Sequence, residues 1–97
     1  MIYEPGSVWV ADLGDEARTS VMVLSQSRFN GVGISVVVAP AVIGELGRTP
    51  PTWIDDGEGT LYAVEHLVTT PAERLLELLD GSGDRRRIRT AIHAIFG

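Results

Sequence analysis

Apolar positions recur along the first two thirds of the chain with the period of strands, and along the last third with that of helices. From Ser7 to Leu13, Val8 and Val10 fall on one side and Trp9 and Ala11 on the other, the two-residue alternation of a half-buried strand. "GDE" at 14–16 then reads as a short turn. Val21 to Leu24 and Ile34 to Ala39 are near-continuous runs of Val, Leu, Met and Ile, which predict strands covered on both faces, and Pro40 is expected to end the second. "RFNGVG" between them supplies turn chemistry, with Asn30-Gly31 able to take positive φ, so a hairpin is the natural connection. "GELGRTPP" at 44–51 reads as loop. Thr52 to Ile54 and Thr60 to Glu65 read as two further strands joined by "DDGEG".

The pattern then changes. "TTPAERLLELLDG" carries Thr70 as N-cap, Pro71 at the first helical position, Glu73 three residues after the cap and Gly81 as a stop, which predicts a helix over 70–81. Asp84 caps a last helix in which Ile88, Ala91, Ile92, Ile95 and Phe96 form a single apolar stripe. The expectation is one domain over residues 1–97, mainly β with C-terminal helices: about five strands followed by two short helices, without internal repeats or linkers.

Composition narrows the chemistry. Ninety-seven residues with 44% apolar content provide one modest core. The absence of cysteine removes disulfides, thiolate catalysis and cysteine metal sites. Glu4 and Pro5 interrupt any early apolar run and no stretch is long enough to span a membrane, so a soluble, cytoplasmic protein is expected. All eight basic residues are Arg. Residues 1–84 hold four of them against thirteen acids, whereas residues 85–97 hold four Arg and no acid. A net charge of −5 works against non-specific binding of nucleic acid, so any RNA site here has to be local.

The order of these segments resembles a known family. "GSVWVADL", then "VLSQSRFN", "VVVAP", "YAVEH" and a closing "IRTAIHAIFG" follow the layout of MazF/PemK-like toxins over essentially the whole chain. The resemblance implies a small curled antiparallel, SH3-like barrel with helices on one side, a homodimer and a partner antitoxin. It also implies cleavage of single-stranded RNA without a metal or other cofactor. In that family an Arg followed by Pro opens the second strand six residues before the Ser of "LS"; counting back from Ser25 gives Thr19, followed by Ser20, with Arg18 one place earlier. The family's Thr two residues after the Pro of the third strand is here Val42. Its strand-end acid has a counterpart in Glu65, and the amide that usually follows is His66.

Metal-free RNA cleavage needs a group to take the 2′-hydroxyl proton, one to protonate the leaving oxygen, and donors or a cation for the charge that builds on phosphorus. Glu65 and His66 are the candidate base and acid, and Arg18 with Thr19 or Ser20 the candidate charge stabilisers. Adjacent strand residues point to opposite faces, so Glu65 and His66 share a cleft only at a strand end or bulge. The alternative is a solvated acid beside an ordinary exposed histidine. Arg28 and Phe29, and also Trp53, are candidates for holding and stacking single-stranded bases, or else a solvated cation and packed rings; Trp9 reads as packing.

Arg85, Arg86, Arg87 and Arg89 open the last helix, the end whose dipole favours acids. Glu73, Glu77 and Asp80 on the preceding helix, an acidic partner, or solvent would stabilise them. His66 and His93 are too few for a metal site, and Asp55, Asp56 and Glu58 read as turn acids. Two other functions remain open. A CcdB-like protein shares the scaffold and resembles "IRTAIHAIF", lacks the nuclease residues and inhibits DNA gyrase by contact, although that family ends in Trp-Gly-Ile and this sequence in Phe96-Gly97. A degenerate toxin would keep only dimerisation and binding of an antitoxin segment that folds on the dimer groove.

Overall fold

The fold is that of a computed structural model, which describes residues 3–14, 18–25, 35–42, 52–56, 59–80 and 85–96. Among the described residues the regular structure is seven strands and one helix: β1 (Val8–Ala11), β2 (Thr19–Val23), β3 (Ser35–Val42), β4 (Trp53–Asp55), β5 (Leu61–Ala63), β6 (Val68–Pro71), β7 (Leu75–Asp80) and α1 (Arg85–Phe96). Two 3-10 turns, Val64–His66 and Ala72–Arg74, precede β6 and β7. All pairings are antiparallel, in the order β4-β5-β3-β2-β1-β7, with β6 also on β3.

β3 organises the sheet. One edge pairs with β2, while the other is divided between β6, along Ser35–Val38, and β5, along Ala41–Val42. The five strands β6-β3-β2-β1-β7 curl as an SH3-like barrel that is not closed by pairing, and the turn Ala72–Arg74 connects its two ends. β4 and β5 extend the sheet beyond it.

Alternation sends the side chains of β1, β2 and β3 into two cores. Trp9, Ala11, Val21, Val23, Val36, Val38 and Leu75 fill the inside of the curl. Val8, Met22, Leu24 and Ala39 pack on the other side with Ile54, Tyr62, Val64 and the helix residues Ile88 and Ala91. The apolar runs in β2 and β3 are therefore covered on both faces, as their composition predicts.

Four expectations are corrected. The segment over 70–81 is not a helix: Thr70 is buried and opposite Val36 in the β3–β6 ladder, and Leu75–Asp80 pairs with the otherwise open edge of β1. Local helix signals lose to the backbone hydrogen bonds and burial that the edge offers. Only one helix, α1, is thus found among the described residues. Pro40 does not end β3, because on the shared edge Val38 is the last residue paired with β6 and Ala41 the first paired with β5; a residue without an N–H sits at that break. The strand predicted through Glu65 stops at Ala63 and becomes a 3-10 turn. Phe96 leaves the apolar stripe: Ile88 and Ala91 are buried and Ile92 and Ile95 pack against them, but Phe96 is 71% exposed.

β7 is irregular. Val8, Trp9, Val10 and Ala11 face Asp80, Leu78, Glu77 and Leu75, which leaves Leu76 and Leu79 as bulge residues. Leu76, Leu78 and Leu79 are 46–52% exposed. Among the described residues no helix is long and apolar enough to cross a membrane. The expected hairpin turn over 28–33 and the loop over 44–51 lie outside the described residues.

The strand assignment of β7 separates leucines that a helix over 70–81 would treat alike. Leu75→Ala, at a site 5% exposed, is expected to lower stability by about 2–5 kcal/mol in urea denaturation at protein concentrations low enough to keep single chains, while Leu79→Ser stays within about 0.5 kcal/mol under the same conditions. Equal losses for the two would contradict the strand.

Candidate functional site

The 3-10 turn changes what Glu65 and His66 can do together. On a strand they would face opposite ways; here the chain winds through Val64–His66, and His66 Nε2 lies 3.8 Å from Glu65 Oε1. Leu67 donates its backbone N–H to the Val64 carbonyl at 3.1 Å, which closes the turn. Buried Val64 anchors it from below and donates its N–H to the Thr52 carbonyl at 3.1 Å.

The Glu65 carboxylate is held on both sides. The Thr52 hydroxyl donates to Oε2 and the Trp53 indole N–H to Oε1. Partial burial pushes the carboxyl's pKa up. The bonds from Thr52 and Trp53, with one from its own backbone amide and the charge of His66, outweigh that and hold it below the ordinary glutamate value. Glu65 is therefore ionised at neutral pH, and its side chain remains 32% exposed. The His66 side chain, 70% exposed, is open to a ligand.

Trp53 is 9% exposed, so its ring offers little face for a base. Its carbonyl receives a hydrogen bond of 3.0 Å from Arg87 Nη2. Thr52, Trp53, Glu65, His66 and Arg87 thus form one continuous cluster that ties β4, the turn and the start of α1. The sequence contains no local signal for Thr52, which lies thirteen residues from its partner. Arg87 belongs to a recognisable basic run, but nothing in that run distinguishes it from its neighbours.

Arg18, Thr19 and Ser20 do not join this cluster. β2 and β5 run in the same direction, both antiparallel to β3; the pairs Val21 with Pro40 and Ala41 with Tyr62 put Tyr62 level with Ser20. Glu65 then lies beyond Tyr62 in one direction and Arg18 before Ser20 in the other, a separation on the order of 15 Å along the sheet. Arg18 is exposed just ahead of β2, and Thr19 opens the strand opposite Ala11. Arg28 and Phe29 lie outside the described residues.

Ser20 instead borders a groove of about 620 Å³ with Asp56, Thr60, Tyr62 and Asp80. Tyr62 donates to Asp56 Oδ2 at 3.5 Å, and Asp56 Oδ1 accepts the Thr60 N–H at 3.2 Å. Burial pushes the Tyr62 phenol up to about 12, with the Asp56 and Asp80 charges adding to it and a hydrogen bond with Ser20 opposing it. Two carboxylates make this groove unfavourable for phosphate. Among the described residues no group of three or more His, Asp or Glu is arranged to hold a metal ion.

The basic run is also differently supported than expected. Glu73 precedes β7, and Glu77 and Asp80 lie within it, rather than on a helix. Arg85 pairs with Glu4 and Arg87 with the Trp53 carbonyl.

No protein-family model matches the chain, and no curated protein does. Solved structures do. The chain is similar to an endoribonuclease in complex with its cognate antitoxin from a mycobacterial species, with a TM-score of 0.79, 23% identity, and 97% of this chain and 94% of that one covered. A second mycobacterial endoribonuclease gives a TM-score of 0.79 at 21% identity, covering 97% and 90%. The Mycobacterium tuberculosis toxin MazF-mt6 gives 0.73 at 16%, covering 93% and 95%. This chain has the fold of these toxins.

A carboxyl whose pKa falls on folding stabilises the fold above its unfolded value, here 4.5, and that contribution is lost as pH falls through the lowered folded value. Glu65→Gln is therefore expected to be less stable than the native protein at pH 7, with the gap between urea midpoints narrowing below pH 4.5. A gap that stays constant with pH would show that the Glu65 charge does not support the fold.

Proposed function

We propose that this protein is the toxin of a type II toxin–antitoxin pair and acts as an endoribonuclease on single-stranded RNA. The observation that carries the reading is the whole-chain likeness, over 97% of its length, to an endoribonuclease in complex with its cognate antitoxin. In the proposed mechanism Glu65, ionised and oriented by Thr52 and Trp53, takes the 2′-hydroxyl proton. That oxygen attacks the adjacent phosphorus, and His66 gives a proton to the departing 5′-oxygen. No metal is required for either transfer. Arg18, with Thr19, contacts a phosphate away from the acid–base pair, because the register separates them along the sheet, while Ser20 faces the groove of Asp56 and Asp80 and takes no part in that contact. Arg28 and Phe29 remain proposed RNA contacts, whereas the buried Trp53 serves the site by holding Glu65 rather than by touching RNA.

The active form in this reading is a cytoplasmic homodimer, controlled by an antitoxin segment. Its support is the exposure of Leu76, Leu78 and Leu79 on a chain with few residues to cover them. A second reading, a non-nuclease toxin that binds a protein target such as DNA gyrase, is favoured by the groove between Asp56 and Asp80, which suits basic side chains better than phosphate.

Incubation of the purified protein with a long single-stranded RNA in EDTA, followed by end mapping, tests the choice. Discrete cuts are expected, slowed about 10²-fold by His66→Ala, an exposed position where substitution spares the fold. Cuts unchanged by both His66→Ala and Glu65→Ala would remove these residues from the site. A folded dimer that makes no cuts but inhibits supercoiling would establish the second reading.

A further inference from the structure

Four of the eight basic residues open α1 at positions 85–89, where the helix dipole opposes positive charge. Two of them have local compensation: Arg85 pairs with Glu4, and Arg87 donates to the Trp53 carbonyl. Arg86 and Arg89 are exposed, and their side chains have no hydrogen-bond or ion-pair partner among the described residues. At the helical repeat, Arg86, Arg89, His93 and Phe96 follow one another along one side of α1, away from the Ile88 and Ala91 side that packs on the core. All four are exposed. Phe96, at 71%, is the most exposed large apolar side chain described.

We propose that this stripe binds the single-stranded RNA substrate, with Arg86 and Arg89 on consecutive phosphates and Phe96 stacked on a base. The inference rests on the nuclease reading above and adds to it a binding surface outside the acid–base pair. Unpaired cations beside an exposed ring are the combination that holds single strands: the charges track the backbone, and the ring accepts any base. The i to i+3 and i+4 steps along the helix rise about 4.5–6 Å, so the long side chains of Arg86 and Arg89 can spread to neighbouring phosphates of one strand. In a chain of net charge −5, with the groove near Ser20 closed to phosphate by Asp56 and Asp80, this side of α1 is a local surface that attracts RNA. Contact with phosphates would also relieve the like charges crowded at the helix start. An acidic peptide would satisfy the arginines but has no need of an exposed planar ring at the end of the stripe.

The test uses the full chain and a fluorescently labelled 2′-O-methyl RNA 20-mer, which cannot be cut through its 2′-oxygen, in anisotropy titrations across a salt series. Arg86→Gln/Arg89→Gln is expected to weaken binding about tenfold at moderate salt and to lower the slope of log affinity against log salt by about 1.4, the release expected for two single-strand phosphate contacts. Arg86→Lys/Arg89→Lys should keep both affinity and slope. Phe96→Ala should lose about tenfold with the slope unchanged. Melting curves that match the native protein's show that these exposed substitutions leave the fold intact.

If the native protein binds and cuts RNA but the Gln variant keeps its affinity and slope, the stripe is overturned and the nuclease reading stands. The stripe is likewise overturned if the Gln variant loses only its hold on an acidic peptide. If the native protein neither binds nor cuts RNA, both readings fall together.

Discussion

Every other feature of this molecule depends on the burial of both faces of β1, β2 and β3. Successive residues in these strands serve different cores: Val21 and Val23 point into the curl while Met22 and Leu24 point toward α1. A one-residue slip would exchange the two sets, and neither the small interior nor the helix side could accept the other's volumes. Register is thereby locked by packing on two sides. That rigidity lets a sheet with an irregular last strand and a shared edge on β3 present a defined surface.

The candidate site lies where this regularity ends. β5 stops at Ala63, and the turn that follows lifts Glu65 and His66 out of the pleat while Val64 stays buried beneath them. In the proposed mechanism the carboxylate has two tasks that compete. Its bonds to Thr52 and Trp53 hold β4 against the turn and lower its basicity, whereas proton abstraction calls for a more basic oxygen. Both oxygens keep further acceptor capacity, so the anchoring bonds orient Glu65 without filling it. Arg87 extends the same network into α1, so the orientation of the Glu65 carboxylate and the seating of the helix are linked through Trp53.

Much of the fold was legible from local pattern. β1, β2, most of β3 and the amphipathic part of α1 follow directly from where Val, Leu, Met and Ile recur, and the order of segments indicated the scaffold. β6 and β7 were hidden because Thr70, Pro71 and Glu73 carry a complete set of helix-start signals, while the partners that override them are distant in the sequence: β3, thirty or more residues earlier, for β6, and the edge of β1, more than sixty residues earlier, for β7. Pro40 misled for the same reason: its tolerance depends on how two other strands divide one edge of β3. At the site, Glu65 and His66 were identifiable as residue types, but their shared orientation required a 3-10 turn, and Thr52 and Arg87 are joined to them only through space. Phe96 fitted the apolar stripe by spacing, but only Ile88, Ala91, Ile92 and Ile95 reach the core and Phe96 stays 71% exposed.

The two tryptophans divide the molecule between them. Trp9 is enclosed within the curl, with its N–H on the Ser7 hydroxyl at 3.0 Å and the ring of Tyr3 at 5.0 Å, whereas Trp53 holds its N–H against a carboxylate beside the helix. A neutral partner and a charged one affect indole emission differently. The chain therefore carries a built-in optical probe for each layer. Light from Trp53 follows the helix, the turn and Glu65; light from Trp9 follows the barrel, so loosening of the site can be watched separately from loss of the fold.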